Sequence, residues 1–314
     1  MQKHEIELET VTPMFISGSD PKKIELRASS VKGVLRWWWR ALNGHLSLND
    51  LKEKEAVIFG STDRKSSFSL RIEASGIKQA FEKLPSGKKK NASSKGRKFP
   101  ISIIDYLAYG IAEYDKREKG NIYNRPHIKP TSKFRIFITI FNDAFEKEIL
   151  NTLSVWIKYG GLGAKSRNGF GCMRSDQIEA GTITRHSRAH YVAFSEDSKL
   201  FLFKEWDTWY DALVEAGSAY REARMALEPR HAFDRRPYVA TPIIVKTENI
   251  SINERHAKQF FFHVNKRGNK YQGQILCLPY KYHKTALQAA YESVFADMCI
   301  FLDKKALKEV TDAL

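Results

Sequence analysis

The residues best able to do chemistry in this chain are cations set among glycines and aromatics. Lys32, Arg36 and Arg40 recur at four-residue spacing, so on a helix they share one face. Like charges at that spacing repel and weaken a helix, but opposite a row of phosphates the same row becomes favourable. A solvated face usually mixes signs, and no Asp or Glu lies between Val31 and Asn49. Trp37, Trp38 and Trp39 are more indole than one helix core needs, which leaves one free to stack on a base or pack on a partner. Trp39 borders the basic face and Trp37 sits on the far flank.

Three further stretches carry charge. Gly160 to Gly171, GGLGAKSRNGFG, holds five glycines with Lys165, Arg167 and Asn168 among them. Glycines such as Gly161, Gly163 and Gly169 let a backbone approach phosphates closely, and the loop's N–H groups can face anions. The bland alternative is a tight helix-to-strand connection. On the anion-binding reading, Gly163→Val is expected to hurt docking of an RNA more than stability. Lys83 to Lys98, KLPSGKKKNASSKGRK, has seven cations and no acid, and is expected to be disordered when free, adding affinity without reading sequence. A merely solubilising loop would look the same. Pro229 to Tyr238, PRHAFDRRPY, interleaves Arg230, His231, Arg235 and Arg236 with Phe233, a mixture that suits single strands with splayed bases.

The elements that must position these groups follow from periodicity. Ile6, Leu8 and Thr10 alternate with glutamates, as do Phe68, Leu70 and Ile72 with polar residues, so both segments read as strands. Ser29 or Ser30 can cap a helix from about Val31 to Asn43, with Val31, Leu35, Trp38 and Leu42 inward and Gly44 as the stop. Phe134 to Phe141 is a third strand, Asp143 opens a helix through Tyr159, and Cys172 to Ala180 is a final strand. The order strand, helix, strand, strand, helix, strand is the split βαβ, ferredoxin-like arrangement. The interval at about 75–133 is too long for a bare loop and reads as an insertion with its own helix, Ile101 to Tyr114.

From about His190 the theme repeats. Strands are expected within Tyr191 to Phe203 and over Thr241 to Lys246, Phe260 to Asn265 and Gln274 to Leu278. Helices are expected over Trp206 to Leu227 and Thr285 to Phe301. No final strand is visible. The fold class is therefore α+β with two ferredoxin-like βαββαβ domains, residues 1–185 and 190–314.

The totals agree with a polyanionic partner. Lys plus Arg number 52 against 36 acids, a net +16, and 42% of residues are hydrophobic, enough for a core. No apolar run approaches the roughly 20 residues that span a bilayer, so no membrane role is expected. Three scattered cysteines, Cys172, Cys277 and Cys299, suit a reducing cytoplasm.

A strand ending in Thr12-Pro13 followed by ELRASSVKGVLRWWWRA, Glu25 to Ala41, resembles subunit one of the Cmr-type (type III-B) CRISPR effector complexes. The glycine loop is similar to that of the wider RAMP superfamily, and Ala240 to Ile244 resembles a segment of its second domain. The resemblance implies two ferredoxin-like RAMP domains and a non-catalytic subunit in antiviral defence. Such a subunit would bind the 3′ part of the CRISPR RNA, the target RNA and other Cmr-type subunits. Carried onto this chain, it implicates Lys32, Arg36, Trp37 and Arg40, then Gly161, Gly163, Lys165, Arg167 and Gly169. Arg230, Arg235 and Arg236 rest on charge alone.

The rival is a RAMP-type endoribonuclease that processes CRISPR RNA. General acid–base cleavage would need a placed histidine. His4, His45 and His127 are the candidates, and none has a visible partner group. Asp105 and Asp115 are candidates for a target-cutting loop. His186 and His190 lack a third metal ligand. No catalytic residue, metal or cofactor is assigned. An adaptor bound to membranes or ribosomes is a further reading of the lysine tract.

Overall fold

The computed structural model describes residues 1–309 except 86–88, 95–96, 118–119, 230–231, 242, 246–249 and 253–254, and gives no side chains at 89–94, 97–99, 244–245, 250 and 308–309. Gln2–Thr10 (β1), Phe68–Glu73 (β2), Lys133–Ile140 (β3) and Met173–Arg174 (β4) form an antiparallel sheet in the order β4-β1-β3-β2. Its register pairs Ile6 with Ile136 and Ile72 with Ile136 from the other side, so apolar residues share one face. That face is covered by Ala28–Leu42 (α1) and Glu146–Tyr159 (α4) through Leu35, Trp38, Leu153 and Trp156. On the solvent face Lys133 bonds Glu7 at 2.6 Å and Arg135 bonds Glu5 at 2.7 Å, exposed pairs worth little each.

Leu48–Phe59 is a helix (α2) that periodicity alone did not suggest. Its start is nonetheless chemical: the Ser47 side chain accepts from the Asp50 amide at 3.2 Å, an N-cap in the Ser-x-x-Asp pattern. By contrast α1 begins after Arg27 with no side-chain cap, so neither Ser29 nor Ser30 serves. Asn142, rather than Asp143, accepts from the Ala144 amide ahead of α4.

The second half uses Lys199–Trp206 (β5), Phe260–Arg267 (β6), Lys270–Cys277 (β7) and Lys308–Glu309 (β8), ordered β6-β7-β5-β8. Counted along the chain, each sheet reads last, first, third, second. The final strand absent from the sequence pattern is thus present, but only two residues long, too short to show a period. Trp209–Ala226 (α5) and Gln288–Asp303 (α6) lie on one face of this sheet with Phe260, Phe262 and Ile275. Phe261, Leu276 and Leu278 on the other face pack into the core of the first half. Both faces being covered, Phe260, Phe261 and Phe262 are all buried. Ile243–Val245 pairs with Ile250–Ile252 in a separate hairpin, so the strand expected at Thr241 to Lys246 joins neither main sheet.

The insertion holds short hairpins and a five-residue helix, Ile103–Leu107 (α3), in place of the longer Ile101 to Tyr114 helix. Gly110, at φ +88°, lies in the chain turn beyond it. The lysine tract, expected to be disordered, pairs Lys89–Ser94 with Arg97–Ser102 in its described backbone, on a strand that runs directly into α3. Ile103 and Leu107 press on α5, where a Cβ at Gly217 would meet Ile103 Cγ2 at 2.7 Å.

The halves are also tied by charge. Glu9 accepts from Lys266 and Arg174, each at 2.7 Å, and is only 8% exposed. Burial alone would raise its pKa, but the Arg174 and Lys266 hydrogen bonds outweigh it and hold the carboxyl below the usual range. Its stabilisation is therefore present above pH about 4.5 and is lost as pH falls through the lower folded value. Glu9→Ala, which strands Lys266, should cost about 3 kcal/mol in a urea melt; a loss under about 1 kcal/mol would show that the bridge contributes little.

Candidate nucleic-acid interface

Helix α2 changes the meaning of the basic row on α1. Glu55 of α2 reaches back and takes both Arg40 Nε and Arg40 Nη2, the second at 2.7 Å. That hydrogen bond is the main reason the Arg40 pKa is raised. Arg36 Nε lies 3.4 Å from the same carboxylate. Its Nη2 donates to the Phe59 and Gly60 carbonyls at 3.2 Å each, closing the C-terminal end of α2. So Arg36 and Arg40 do not form a free row: an acid distant in sequence neutralises part of it. Lys32 stands apart, 4.9 Å above the Phe68 ring, its pKa lowered by burial and then by Arg36.

The tryptophans also separate. Trp38 and Trp39 are buried, and Trp39 donates its indole N–H to Glu148 at 2.6 Å, so it does not border a functional face. Trp37 is partly exposed, edge-on to Trp38 at 5.0 Å and 5.2 Å from Phe261. Arg167 of the glycine loop lies over Trp37 at 5.0 Å and over Phe261 at 5.3 Å. Burial lowers the Arg167 pKa, and no described carboxylate pairs with it.

The loop can reach that point because its glycines let chain segments cross. A Cβ at Gly163 would lie 2.4 Å from the Phe15 carbonyl oxygen, and one at Gly171 would lie 2.0 Å from that of Leu162. Both have positive φ, +92° and +66°. Gly161 likewise faces the Phe170 carbonyl, and Gly169 faces Leu213. Several loop amides are spent internally: Leu162 donates to Gly171, Ala164 to Phe15, Asn168 to Lys165 and Gly171 to Pro13. At Gly161, Gly163 and Gly171 the close approach is to another segment of the chain itself. What the loop offers outward is side chains, Lys165 and Arg167, with Lys165 at φ +61°.

Between α1, α2 and the loop opens a groove of about 670 Å³. Arg36, Arg40, Lys52 and Arg167 line it against the single carboxylate of Glu55, with Trp37 and Tyr191 as aromatic walls. A smaller cleft of about 220 Å³ shares Trp37 and Arg167 and runs under Gly33 and Gly161. Two regions chosen from sequence therefore meet in one place. Lys52, Tyr191 and Glu55 were not singled out; the Ser47 cap was the signal that placed the first and last of these on a helix.

The Pro229 loop does not join them. Arg236 is 8% exposed and bonds Glu228 at 2.6 Å. Arg235 bonds Asp297 at 2.6 Å and Ser293 at 3.1 Å. Both arginines tie this loop to α5 and α6 instead of presenting charge, a correction to the sequence expectation; Arg230 and His231 lie outside the described residues. The histidines are elsewhere. His4 contacts Glu146 at 2.9 Å, and the His45 and His186 rings lie 4.1 Å apart. Burial pushes His127 down to about 4. The segment with His186 and His190 is not helical. Asp105 accepts from Asn121 at 2.7 Å and Tyr123 at 2.6 Å. Among the described residues no His, Cys, Asp or Glu cluster could hold a metal, the three cysteines are buried and form no disulfide, and no helix is long and apolar enough to cross a membrane.

The sheet with its helices and glycine loop defines a class: the RAMP superfamily model matches residues 7–174, and the chain belongs to that superfamily. Among particular relatives, it is 33% identical over 182 residues to the CRISPR system Cmr subunit Cmr1-2 of Pyrococcus furiosus, covering 55% of this chain and 94% of that protein. It is 32% identical over 176 residues to Cmr1-1 of the same organism, covering 54% of this chain but 46% of that one. The fold is similar to the apo crystal structure of Pyrococcus furiosus Cmr1, with a TM-score of 0.58 at 18% identity over 99% of both chains. A chain in a cryo-EM structure of the type III-B Cmr-beta bound to cognate target RNA gives 0.53 at 14% identity, over 94% of this chain and 99% of that one.

Proposed function

We propose that this chain is a non-catalytic RNA-binding subunit of a type III-B CRISPR effector complex. In this reading it holds the 3′ part of the CRISPR RNA in the cytoplasm and contacts target RNA beside other Cmr-type subunits. The observation that carries the reading is Arg167 over the Trp37 ring, 5.0 Å from its centroid, in a groove lined by four cations and one carboxylate. A guanidinium on an indole offers both a phosphate partner and a flat surface for a base. The names of the two relatives support the assembly, and the shared strand order of the sheets supports two ferredoxin-like domains, 1–185 with its insertion and 190–314.

The positions of His4, His45 and His127 favour binding over cleavage. All three lie off the groove, and His127 is buried and neutral near pH 7.

The test is a titration of purified protein with single-stranded and duplex RNA across a salt series, with the same RNA run on a gel. Single strands should bind more tightly, uncut, with a salt slope of about −2, since three net charges release about 0.7 counterion each. Specific cutting that one histidine substitution abolishes would make the protein a processing nuclease and this reading wrong.

A further inference from the structure

Around the backbone of Arg167 a second set of cations converges. Lys258 Nζ donates to the Arg167 carbonyl at 3.1 Å and to Asn168 Oδ1, which fixes it against the loop tip. Lys258 and Arg224 approach the same ring, that of Tyr220, at 5.8 and 5.9 Å. Arg224 donates to the Tyr106 hydroxyl at 2.6 Å, while its Nε is buried with no acceptor. Lys165 Nζ would lie 3.7 Å from a Cβ at Gly110, and Arg125 is near enough to lower the Lys165 pKa, after burial. Tyr106 and Gly110 line a second groove of about 1220 Å³ in the insertion.

We propose that Lys165, Arg224 and Lys258 form a binding site for one phosphate group of the RNA strand. Its RNA ligand rests on the function proposed above; the phosphate chemistry rests on the cluster itself. No described carboxylate pairs with any of the three cations. Among the described residues, the one acid whose charge reaches Arg224 is Glu228, already bonded to Arg236. The groups that face Lys258 from the loop and α5 are Arg167, Lys165, Arg224 and Tyr220, with His256 on its own segment turned to the Pro237 carbonyl at 2.7 Å. Burial first, then Arg167, Arg224 and Lys165, push the Lys258 pKa down to about 7. Three like charges gathered without a counterion are costly unless an anion joins them or one loses its proton. A phosphodiester carries a fixed negative charge and acceptor oxygens, so it would supply the missing acceptor for Arg224 and restore the Lys258 proton, taken from solvent.

The sign of the linkage is definite. The free protein holds fewer protons on Lys258 than the complex between pH about 7 and the usual lysine range, so affinity falls as pH rises through that window. The experiment is anisotropy of a labelled oligoadenylate, whose bases do not titrate there, at about pH 7 and about pH 8.5. Wild-type affinity should fall on the order of ten-fold. Lys258→Met, which replaces an amine already near neutral and should fold, should bind more weakly at the lower pH and lose the pH dependence. Trp37→Ala should bind more weakly at both pH values and keep the wild-type ratio. Lys258→Met with wild-type affinity, or with the wild-type ratio, overturns the proposal. If the wild type binds no RNA at all, the proposed function fails, and inorganic phosphate then decides the site. A rise in Tm with phosphate at about pH 7 that Lys258→Met abolishes keeps the site, and no such rise overturns it.

Discussion

Gly171→Ala is expected to lose about 4 kcal/mol of stability. Two costs add. The residue sits at φ +66°, where a side chain is strained, and the new Cβ would lie 2.0 Å from the Leu162 carbonyl oxygen across the loop. Neither can relax cheaply, because Leu162 donates to Gly171 at 2.9 Å and Gly171 donates to Pro13 at 2.8 Å. Tm should fall by about 10 °C. Gly33→Ala is the matched control: it lies inside α1 with nothing within 4 Å of its Cβ, so it should gain up to about 1 kcal/mol. Equal melting of the Gly171→Ala variant and wild type would refute this account of the loop. The same geometry reverses the expectation for Gly163→Val, which should damage the fold first and RNA docking only as a consequence.

The second large effect is on binding. Trp37→Ala and Arg167→Ala should each weaken single-stranded RNA binding by about ten-fold or more, since stacking on an aromatic is worth about 1–3 kcal/mol per base. The two side chains lie 5.0 Å apart and share Phe261, so the double variant should lose less than the sum. Their salt slopes should separate them: Arg167→Ala removes one phosphate partner and flattens the slope by about 0.7, whereas Trp37→Ala leaves it unchanged. Additive losses, or a slope change in the tryptophan variant, would mean that the pair does not act as a unit.

Much of the first half was legible because its signals are local. β1, β3 and α4 announce themselves by period, and the meeting of α1 with the glycine loop follows from their positions in a split βαβ order. What stayed hidden depends on pairing across distance. The basic row of α1 looked unopposed because Glu55 lies 15 residues beyond Arg40, on a helix with a weak apolar stripe. Arg235 and Arg236 looked available because Asp297 and Glu228 meet them only in the folded chain. β8 is shorter than any period. Lys258 carried no motif at all; only the fold brings it to Arg224 and the loop tip.

The central claim is that RNA lies in the groove between α1, α2 and the glycine loop. Crosslinking of a 4-thiouridine-labelled single strand, followed by mapping of the modified peptides, tests it most directly. Crosslinks should fall on the peptides containing Trp37 and Tyr191, the two aromatic walls. Crosslinks confined to the 89–102 hairpin or to the 229–238 loop, with the groove peptides untouched, would contradict it.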